Sequence, residues 1–163
     1  MHRQNDEEGW TMAQTEFDGL DQVRDGVGRD LGTSSWLEIT QERVNQFAEA
    51  TGDHQWIHVD PVRAAAGPFG GPIAHGYLTL SLSNALLPEI VEVRGVSLGV
   101  NYGANKVRFP APVPVGSRIR AQVTLAAVED VPGGVQTTMV ITIEIEGGTK
   151  PACVIESISR YLA

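Results

Sequence analysis

The amino-acid sequence predicts an α+β fold in which a curled antiparallel sheet wraps around one long central helix. Residues 77–87 are apolar around most of the helical circumference, which is typical of a buried helix. From residue 95 onward the chain has the pattern of successive strands joined by turns. The alternation is clearest in residues 117–128, where Ile119, Ala121 and Val123 share one face and polar side chains occupy the other.

The elements before the central helix have local signals. Leu20, Val23 and Val27 stand at helical spacing, and residues 35–39 resemble a strand. Thr40 is a suitable N-cap for a helix over residues 41–50. The next segments, predicted in order, are a helix end at Gly52, a tight loop over 53–60, a short helix over 61–66, a loop over 67–72 and the start of the central helix at Gly76.

The C-terminal half predicts a meander of antiparallel strands. The predicted strands are 96–102, 106–109, 117–128, 135–146 and 152–161, with a hairpin turn at 132–134. Residues 1–15 are polar without periodicity and are predicted to form a flexible tail. Residues 16–163 are predicted to form one domain.

Composition narrows the function classes. A chain of 163 residues with 42% hydrophobic residues suits one folded domain, and a net charge of −8 gives no electrostatic support for binding nucleic acid. The single Cys153 allows no internal disulfide, which fits a reducing compartment, and its apolar strand context predicts a core residue. We find no signal peptide, and the central helix is too short to cross a membrane, so the sequence predicts a cytoplasmic protein.

The loop after Gly52 holds the residues with the clearest chemistry. Asp53 and His58 are five residues apart, and on a tight loop both side chains can face one water molecule. Such an acid–base pair suits the addition of water to an activated double bond, or its removal. Alternatively, Asp53 caps the following turn and His58 is a structural hydrogen-bonding residue. His54 and His58 have the spacing of a zinc-binding helix, but Gln55 stands where that motif requires a glutamate, so no metal is predicted.

Three sequence blocks resemble one family. They are Thr51-Gly-Asp-x-Gln-x-Ile-His-x-Asp-Pro61, Phe69-Gly-Gly-Pro-Ile-Ala-His-Gly76, and a third block with Asn101-Tyr102 followed by Lys106-Val-Arg-Phe-Pro-Ala-Pro-Val-Pro-Val-Gly116. Their order and spacing are similar to those of the MaoC-like (R)-specific enoyl-CoA hydratases. The resemblance covers about residues 34–163, and small single-domain members of mycobacterial type are the most similar.

The resemblance implies a hot-dog fold, a homodimer, and reversible hydration of a trans-2-enoyl thioester to an (R)-3-hydroxyacyl thioester without a cofactor or metal. It implies that Asp53 and His58 form the catalytic dyad. The family usually has Asn-Pro where this chain has Gln55-Trp56. Gln55 is therefore expected to brace the dyad through its amide, and Trp56 to shape the pocket wall.

Further residues are candidates around this dyad. The main-chain N–H of Gly76 is expected to bind the thioester oxygen, although this glycine also suits a plain helix start. His75 is interpreted as structural. Lys106 and Arg108 fit either contacts with the phosphates of the acyl carrier or a solvated strand face. The remaining candidates, which suit either an acyl pocket or the core, are Trp56, Phe69, Tyr77 and Leu78.

The leading functional hypothesis is a hydro-lyase acting on acyl-CoA. One alternative is a 3-hydroxyacyl-ACP dehydratase of fatty-acid elongation, although the negative charge of the chain disfavours an acidic carrier protein. A hot-dog thioesterase would share the fold but has a different catalytic loop pattern. A non-catalytic subunit of a dehydratase is expected to lack the dyad, which this chain has. Acyl-chain length, and which dyad residue protonates C2, stay open at this point.

Overall fold

The protein is described from a computed structural model that covers residues 12–163. The helices are α1 (Leu20–Asp25), α2 (Gln41–Thr51), α3 (Trp56–Val59), α4 (Pro61–Ala65) and α5 (Gly76–Leu86), and a short 3-10 helix follows α5 at Leu87–Glu89. The strands are β1 (Thr15–Asp18), β2 (Asp30–Thr33), β3 (Leu37–Glu38), β4 (Val91–Arg94), β5 (Leu98–Arg108), β6 (Arg118–Val131), β7 (Gly134–Ile145) and β8 (Cys153–Leu162).

The main sheet is antiparallel and has the strand order β2-β6-β7-β8-β5, with the short β3 also paired to β6. β1 and β4 form a separate parallel pair. Within the described chain β5 pairs only with β8, so its other edge carries no strand. The predicted antiparallel sheet is therefore confirmed, but only β6, β7 and β8 form a meander, because β5 pairs with β8 rather than with β6 and keeps one free edge.

Helix α5 forms the centre of the core. Its buried leucines Leu78, Leu82 and Leu86 belong to one apolar cluster with the inward side chains of the sheet, among them Ile141 and Ile155. Burying each such side chain contributes about 1.5–3 kcal/mol. A long antiparallel sheet around one central helix is the predicted α+β architecture, and it is the arrangement of a hot-dog fold.

Cys153 begins β8 and is fully buried opposite Ile143. Burial raises the pKa of its thiol to about 11, because the thiolate would lose its hydration. The prediction that this residue is a small core side chain is confirmed.

The local signals of α2 are confirmed almost residue by residue. Thr40 caps the helix by accepting a hydrogen bond from the main-chain nitrogen of Arg43 at 3.2 Å. Gly52 ends it in the left-handed region with φ of 79°, which a glycine adopts without strain. The end of α2 is therefore sharply defined, and Asp53 follows it directly.

The segment after Asp53 differs from its prediction as a continuous tight loop. Trp56–Val59 is one helical turn, with the Asp60 nitrogen donating to the Trp56 carbonyl at 3.1 Å. Four residues are enough for one turn, and they fit between Gly52 and Pro61. His58 therefore lies on a helical turn rather than on a loop.

Three strand predictions also needed correction. Residues 96–102 and 106–109, predicted as two strands, belong to the continuous β5, which has irregular register between 101 and 106. The predicted strand at 35–39 is reduced to the two residues of β3. Helix α1 ends at Asp25, so Val27, which was predicted to share its helical spacing, lies beyond it. β1, β2 and β4 were not predicted, and they are only four residues long.

The predicted N-terminal tail is only partly covered by the structure. Residues 1–11 lie outside the described residues, and Thr15 is already part of β1. Within residues 12–163, none of the helices combines the length and the apolar character that a membrane crossing requires.

Candidate active site

The fold brings Asp53, His58 and His75 together beside one cleft, which His58 and Gly76 line. Asp53 follows the end of α2, His58 lies on α3, and His75 directly precedes α5. The cleft has a volume of about 350 Å³, and its walls include the side chains of His58, Phe69, Ile73, Thr79, Phe109 and Val113. Gly76 at the start of α5 and Ala152, directly before β8, also line it.

His58 has a defined tautomer. Its ring is buried, and Nδ1 lies 2.7 Å from the carbonyl oxygen of Ile73. Because a carbonyl oxygen only accepts hydrogen bonds, Nδ1 carries the hydrogen when the ring is neutral. Nε2 then keeps its lone pair and makes no hydrogen bond to any described residue. His58 therefore presents a proton acceptor to the cleft.

The surroundings of His58 favour its neutral form. Burial lowers the pKa of His58 below the ordinary 6.5, because the charged ring would lose hydration, and the neighbouring His75 lowers it further. The hydrogen bond to Ile73 and the carboxylate of Asp53 raise the pKa but do not reverse this shift. The ring is therefore available as a base near neutral pH.

Asp53 supplies an exposed carboxylate beside this base. One oxygen, Oδ1, accepts a hydrogen bond of 3.3 Å from the main-chain nitrogen of Gln55. Asp53, His58 and His75 each offer an oxygen or nitrogen atom, and these three atoms lie within 4.8 Å of one another. Two hydrogen bonds of about 2.8 Å to one tetrahedral water span roughly 4.6 Å, which lies within the 4.8 Å limit on these separations.

The imidazole rings of His58 and His75 are stacked. Their centroids are 4.0 Å apart and the ring planes meet at 26°. His75 is also buried, and its Nε2 lies 3.0 Å from the carbonyl oxygen of Asp53. The two histidines and Asp53 thus form one connected unit.

The same three residues do not suit a metal ion. His58 Nδ1 and His75 Nε2 carry the hydrogens that point to the Ile73 and Asp53 carbonyls. The lone pair that remains on His75 is at Nδ1, which is enclosed in the protein, so this ring offers a metal no solvent-facing ligand atom.

Gly76 is the first residue of α5. The first intrahelical bond at this end runs from the Thr79 nitrogen to the His75 carbonyl, so the N–H groups of residues 76–78 have no acceptor within the helix. The His75 side chain provides no cap. A Cβ atom at Gly76 would lie 3.2 Å from the Phe109 ring, so the missing side chain keeps this helix start open to the cleft.

Gln55 and Trp56 have positions that the sequence did not reveal. Gln55 supports Asp53 through its main-chain N–H, while its side chain is exposed. Trp56 contacts Gly67, where an added Cβ would come within 2.9 Å of the indole, and Arg63 lies 4.3 Å above the ring. Trp56 is not among the residues that line the cleft, so its contact with an acyl group stays a prediction.

The other predicted substrate contacts are spread over the rim. Phe69 lines the cleft directly. Tyr77 is 72% exposed and meets Phe109 edge-on at 6.3 Å between ring centroids, whereas Leu78 is part of the core.

Lys106 and Arg108 lie near the end of β5. Both are exposed, on the strand face opposite the half-buried Val107, and neither forms an ion pair with a described residue. The contact of Lys106 and Arg108 with the phosphates of an acyl carrier therefore stays a prediction.

Two contributions were missed from the sequence. Gln41 at the start of α2 donates a hydrogen bond of 2.7 Å to the His58 carbonyl and so ties α3 to α2. Ile73 provides the carbonyl that orients the His58 ring. Neither contact has a sequence signal, because each joins residues 15 or 17 positions apart through main-chain atoms.

Comparison with known proteins agrees with this geometry. The model of the MaoC like domain matches residues 23–146. The chain belongs to the MaoC-like family of dehydratases and hydratases. The resemblance predicted from the sequence blocks is therefore confirmed.

Named relatives fall in the same family. The chain is 59% identical over 148 residues to the 3-hydroxyacyl-thioester dehydratase Z of Mycobacterium tuberculosis, which covers 90% of this chain and 98% of that protein. It is 46% identical over 136 residues to the nodulation protein N of Rhizobium meliloti, covering 82% and 84% of the two chains.

A solved structure extends the similarity to the fold. The (R)-hydratase from A. caviae involved in PHA biosynthesis superimposes with a TM-score of 0.68 at 28% identity, covering 82% of this chain and 94% of that one.

Proposed function

We propose that this MaoC-like protein catalyses the reversible hydration of a trans-2-enoyl thioester to an (R)-3-hydroxyacyl thioester. The observation that carries the proposal is the hydrogen-bonded tautomer of His58, which leaves Nε2 without a proton in a ring that lies beside the carboxylate of Asp53. Similarity to the M. tuberculosis dehydratase and the A. caviae hydratase supports both the reaction and its thioester substrate.

The dyad acts on one water molecule. Water donates hydrogen bonds to Nε2 of His58 and to the Asp53 carboxylate, which aims its oxygen at C3 of the enoyl group. As the oxygen–carbon bond forms, the dyad takes one proton from water and delivers one proton to C2. The pair returns to its starting charge, and the dehydration direction uses the same groups in reverse.

Negative charge develops on the thioester oxygen during this step. The free N–H of Gly76 at the N-terminus of α5 is a suitable donor for that oxygen, and the positive end of the helix dipole adds to the effect. A typical oxyanion-hole donor contributes about 10²–10³ in kcat.

Coenzyme A is the proposed acyl carrier. The exposed cations Lys106 and Arg108 suit its phosphates, and the net charge of −8 disfavours the acidic acyl-carrier protein. Phe69 contributes to the wall on the acyl side of the cleft. The cytoplasmic location stays a prediction from the sequence.

A homodimer is proposed on the free edge of β5. Leu98, Val100 and Tyr102 form an exposed stripe at every second residue of this strand. An 11-residue strand with one unpaired edge favours pairing with a second copy. Light scattering is expected to give twice the 17.5 kDa of one chain, and a monomeric mass at micromolar concentration would contradict the dimer.

The reaction is tested with crotonyl-CoA and longer enoyl-CoA esters, followed as loss of absorbance of the conjugated thioester. The product is expected to be the (R)-3-hydroxyacyl ester, and 3-hydroxyacyl esters are expected to react in reverse. Matching substrates on acyl-carrier protein compare the two carriers. Chelators are expected to leave the rate unchanged. Absence of turnover with every chain length on both carriers would refute the proposal.

A further inference from the structure

The His75 side chain has one polar contact among residues 12–163. Its buried ring stacks on His58 and also contacts Phe47, with 4.9 Å between ring centroids. Nδ1 is enclosed and has no hydrogen-bond partner among the described residues. Nε2 lies 3.0 Å from the Asp53 carbonyl and must carry the hydrogen of that bond. The one hydrogen bond that this imidazole makes to a described residue therefore goes to the main-chain carbonyl of Asp53.

Asp53 has few other restraints. Gly52 interrupts the helix before it, so the Asp53 main chain is outside the regular bonding of α2. Its nitrogen reaches Thr51 Oγ1 only at 3.5 Å, and its carboxylate accepts from Gln55 at 3.3 Å. Both distances are at the long end for hydrogen bonds, so the contact from His75 is the shortest that holds this residue.

The contact also joins two separate parts of the chain. His75 is the N-cap residue directly before the central helix, while Asp53 is exposed and lies 22 residues earlier. His58 contacts the same ring by stacking. The His75 side chain therefore contacts both members of the proposed dyad. It bonds to Asp53 through Nε2 and stacks on His58 with its ring face.

We propose that His75 is a positioning residue of the site, which holds the Asp53 main chain from its buried side and thereby sets the separation between the Asp53 carboxylate and His58. The role rests on the proposed hydration for its kinetic consequence. It assigns a task to a histidine that the sequence presented as merely structural.

Two substitutions of His75 distinguish the effect of its hydrogen bond to Asp53 from the effect of its stacking on His58. His75→Phe keeps an aromatic ring for stacking but removes the donor. His75→Gln places an amide donor near the position of Nε2 but removes the ring. Since misplacement of a catalytic group by about 1 Å can cost up to 10²-fold, His75→Phe is expected to lower kcat roughly tenfold with KM changed less than about twofold. His75→Gln is expected to stay within about threefold of the wild-type kcat.

Phe47→Leu is the matched packing control. It removes an aromatic contact with the His75 ring and leaves the hydrogen bond to Asp53 in place. We expect a lower melting temperature with kcat near the wild-type value. An equal loss of kcat in Phe47→Leu and His75→Phe would overturn the proposal, because it would show that packing around the ring is sufficient to explain the effect.

A readout that does not depend on turnover tests the hydrogen bond itself. In protein labelled with 15N at histidine, His75 is expected at pH 8 to show the Nε2–H tautomer, with a proton that exchanges slowly because it is bonded to Asp53. An Nδ1–H tautomer would overturn the proposal, as would full kcat in a folded His75→Phe. If His75→Phe does not fold, wild-type-like kcat in His75→Gln supports the role and a tenfold loss there refutes it.

The two proposals fail in different ways. If the wild-type protein hydrates no thioester, the proposed function is wrong, whereas the tautomer and exchange of the His75 proton still decide whether this ring holds Asp53. If the wild-type protein is active and the Nε2–H bond is absent, only the role of His75 is wrong.

Discussion

The inner and outer parts of the site are held in different ways. The inner part consists of two buried, stacked histidines and the Ile73 carbonyl, which orients one of them at 2.7 Å. The outer part consists of exposed residues, namely Asp53, Tyr77, Lys106 and Arg108, and the Asp53 carboxylate accepts only a longer hydrogen bond of 3.3 Å from the Gln55 nitrogen. The difference predicts that substitutions in the inner part change both the activity and the free energy of unfolding, whereas substitutions in the outer part change the activity alone.

The largest effects on kcat are expected at the two members of the dyad, which should differ in their effect on the free energy of unfolding. Asp53→Asn and His58→Ala are each expected to lower kcat by roughly a hundredfold or more. Asp53 is exposed, so its substitution should leave the free energy of unfolding nearly unchanged. His58→Ala leaves the Ile73 carbonyl without its donor and should cost about 1–3 kcal/mol. Enzyme kinetics and urea unfolding of both variants measure the contrast, and near-normal kcat in either variant would remove that residue from the dyad.

The pH dependence tests the inner part alone. Burial lowers the pKa of His58 below 6.5, and the proposed hydration uses the neutral form of this residue. The value of kcat/KM for hydration is therefore expected to be constant at neutral pH and to fall about tenfold per unit below a midpoint that lies under pH 6.5. A midpoint above 6.5 in the wild-type protein would contradict the proposed environment.

The same shift has a consequence for stability. Between the lowered folded pKa and the unfolded value of about 6.5, the unfolded chain binds more protons at this residue, so protons favour unfolding. The stabilising contribution is present above pH 6.5 and is lost as the pH falls through the folded pKa. The difference in unfolding free energy between the wild type and His58→Ala should therefore shrink from pH 7.5 to pH 5.5.

Gly76→Ala tests the helix start that lies between the buried inner part and the exposed outer part of the site. The new methyl group would lie 3.2 Å from the Phe109 ring, so either the ring or the start of α5 must shift. A displaced Gly76 N–H is expected to lower kcat roughly tenfold. The double variant Gly76→Ala/Phe109→Leu, measured against Phe109→Leu alone, should recover part of the loss. No recovery would indicate that the contact with Phe109 is not the cause.

The smallest effects are expected at the outer cations. Lys106→Ala and Arg108→Ala should each raise KM for a CoA ester a few-fold, and salt should weaken the difference by screening. The matched control is the enoyl ester of N-acetylcysteamine, which lacks the phosphates and should show no change in KM. An equal rise in KM for both substrates would exclude phosphate binding as the explanation.

The contrast between the parts also explains what the sequence could predict. The limits of α2 depend on Thr40 and Gly52, which act within one helical turn and have strong residue preferences. Asp53 and His58 were found because they lie close together in a spacing shared with a family.

The missed features depend on distant or weak signals. The bond from His75 joins residues 22 positions apart and ends on a carbonyl oxygen, which every residue possesses, so no residue type marks it. The irregular register between Asn101 and Lys106 interrupts the alternation that identifies a strand, which is why β5 was predicted as two pieces. The four-residue strands β1 and β2 are too short for a periodic pattern.

The burial of Cys153 has a practical consequence. With a pKa of about 11, only about one thiol in ten thousand is ionised at pH 7, and the sulfur is shielded from solvent by the core. Maleimide reagents should therefore leave the native chain unmodified. A cysteine introduced at an exposed position, for instance in place of Val62, can be labelled with a fluorophore without first removing the natural one. Fluorescence measurements on this protein thus need only the one added cysteine, with Cys153 kept in place.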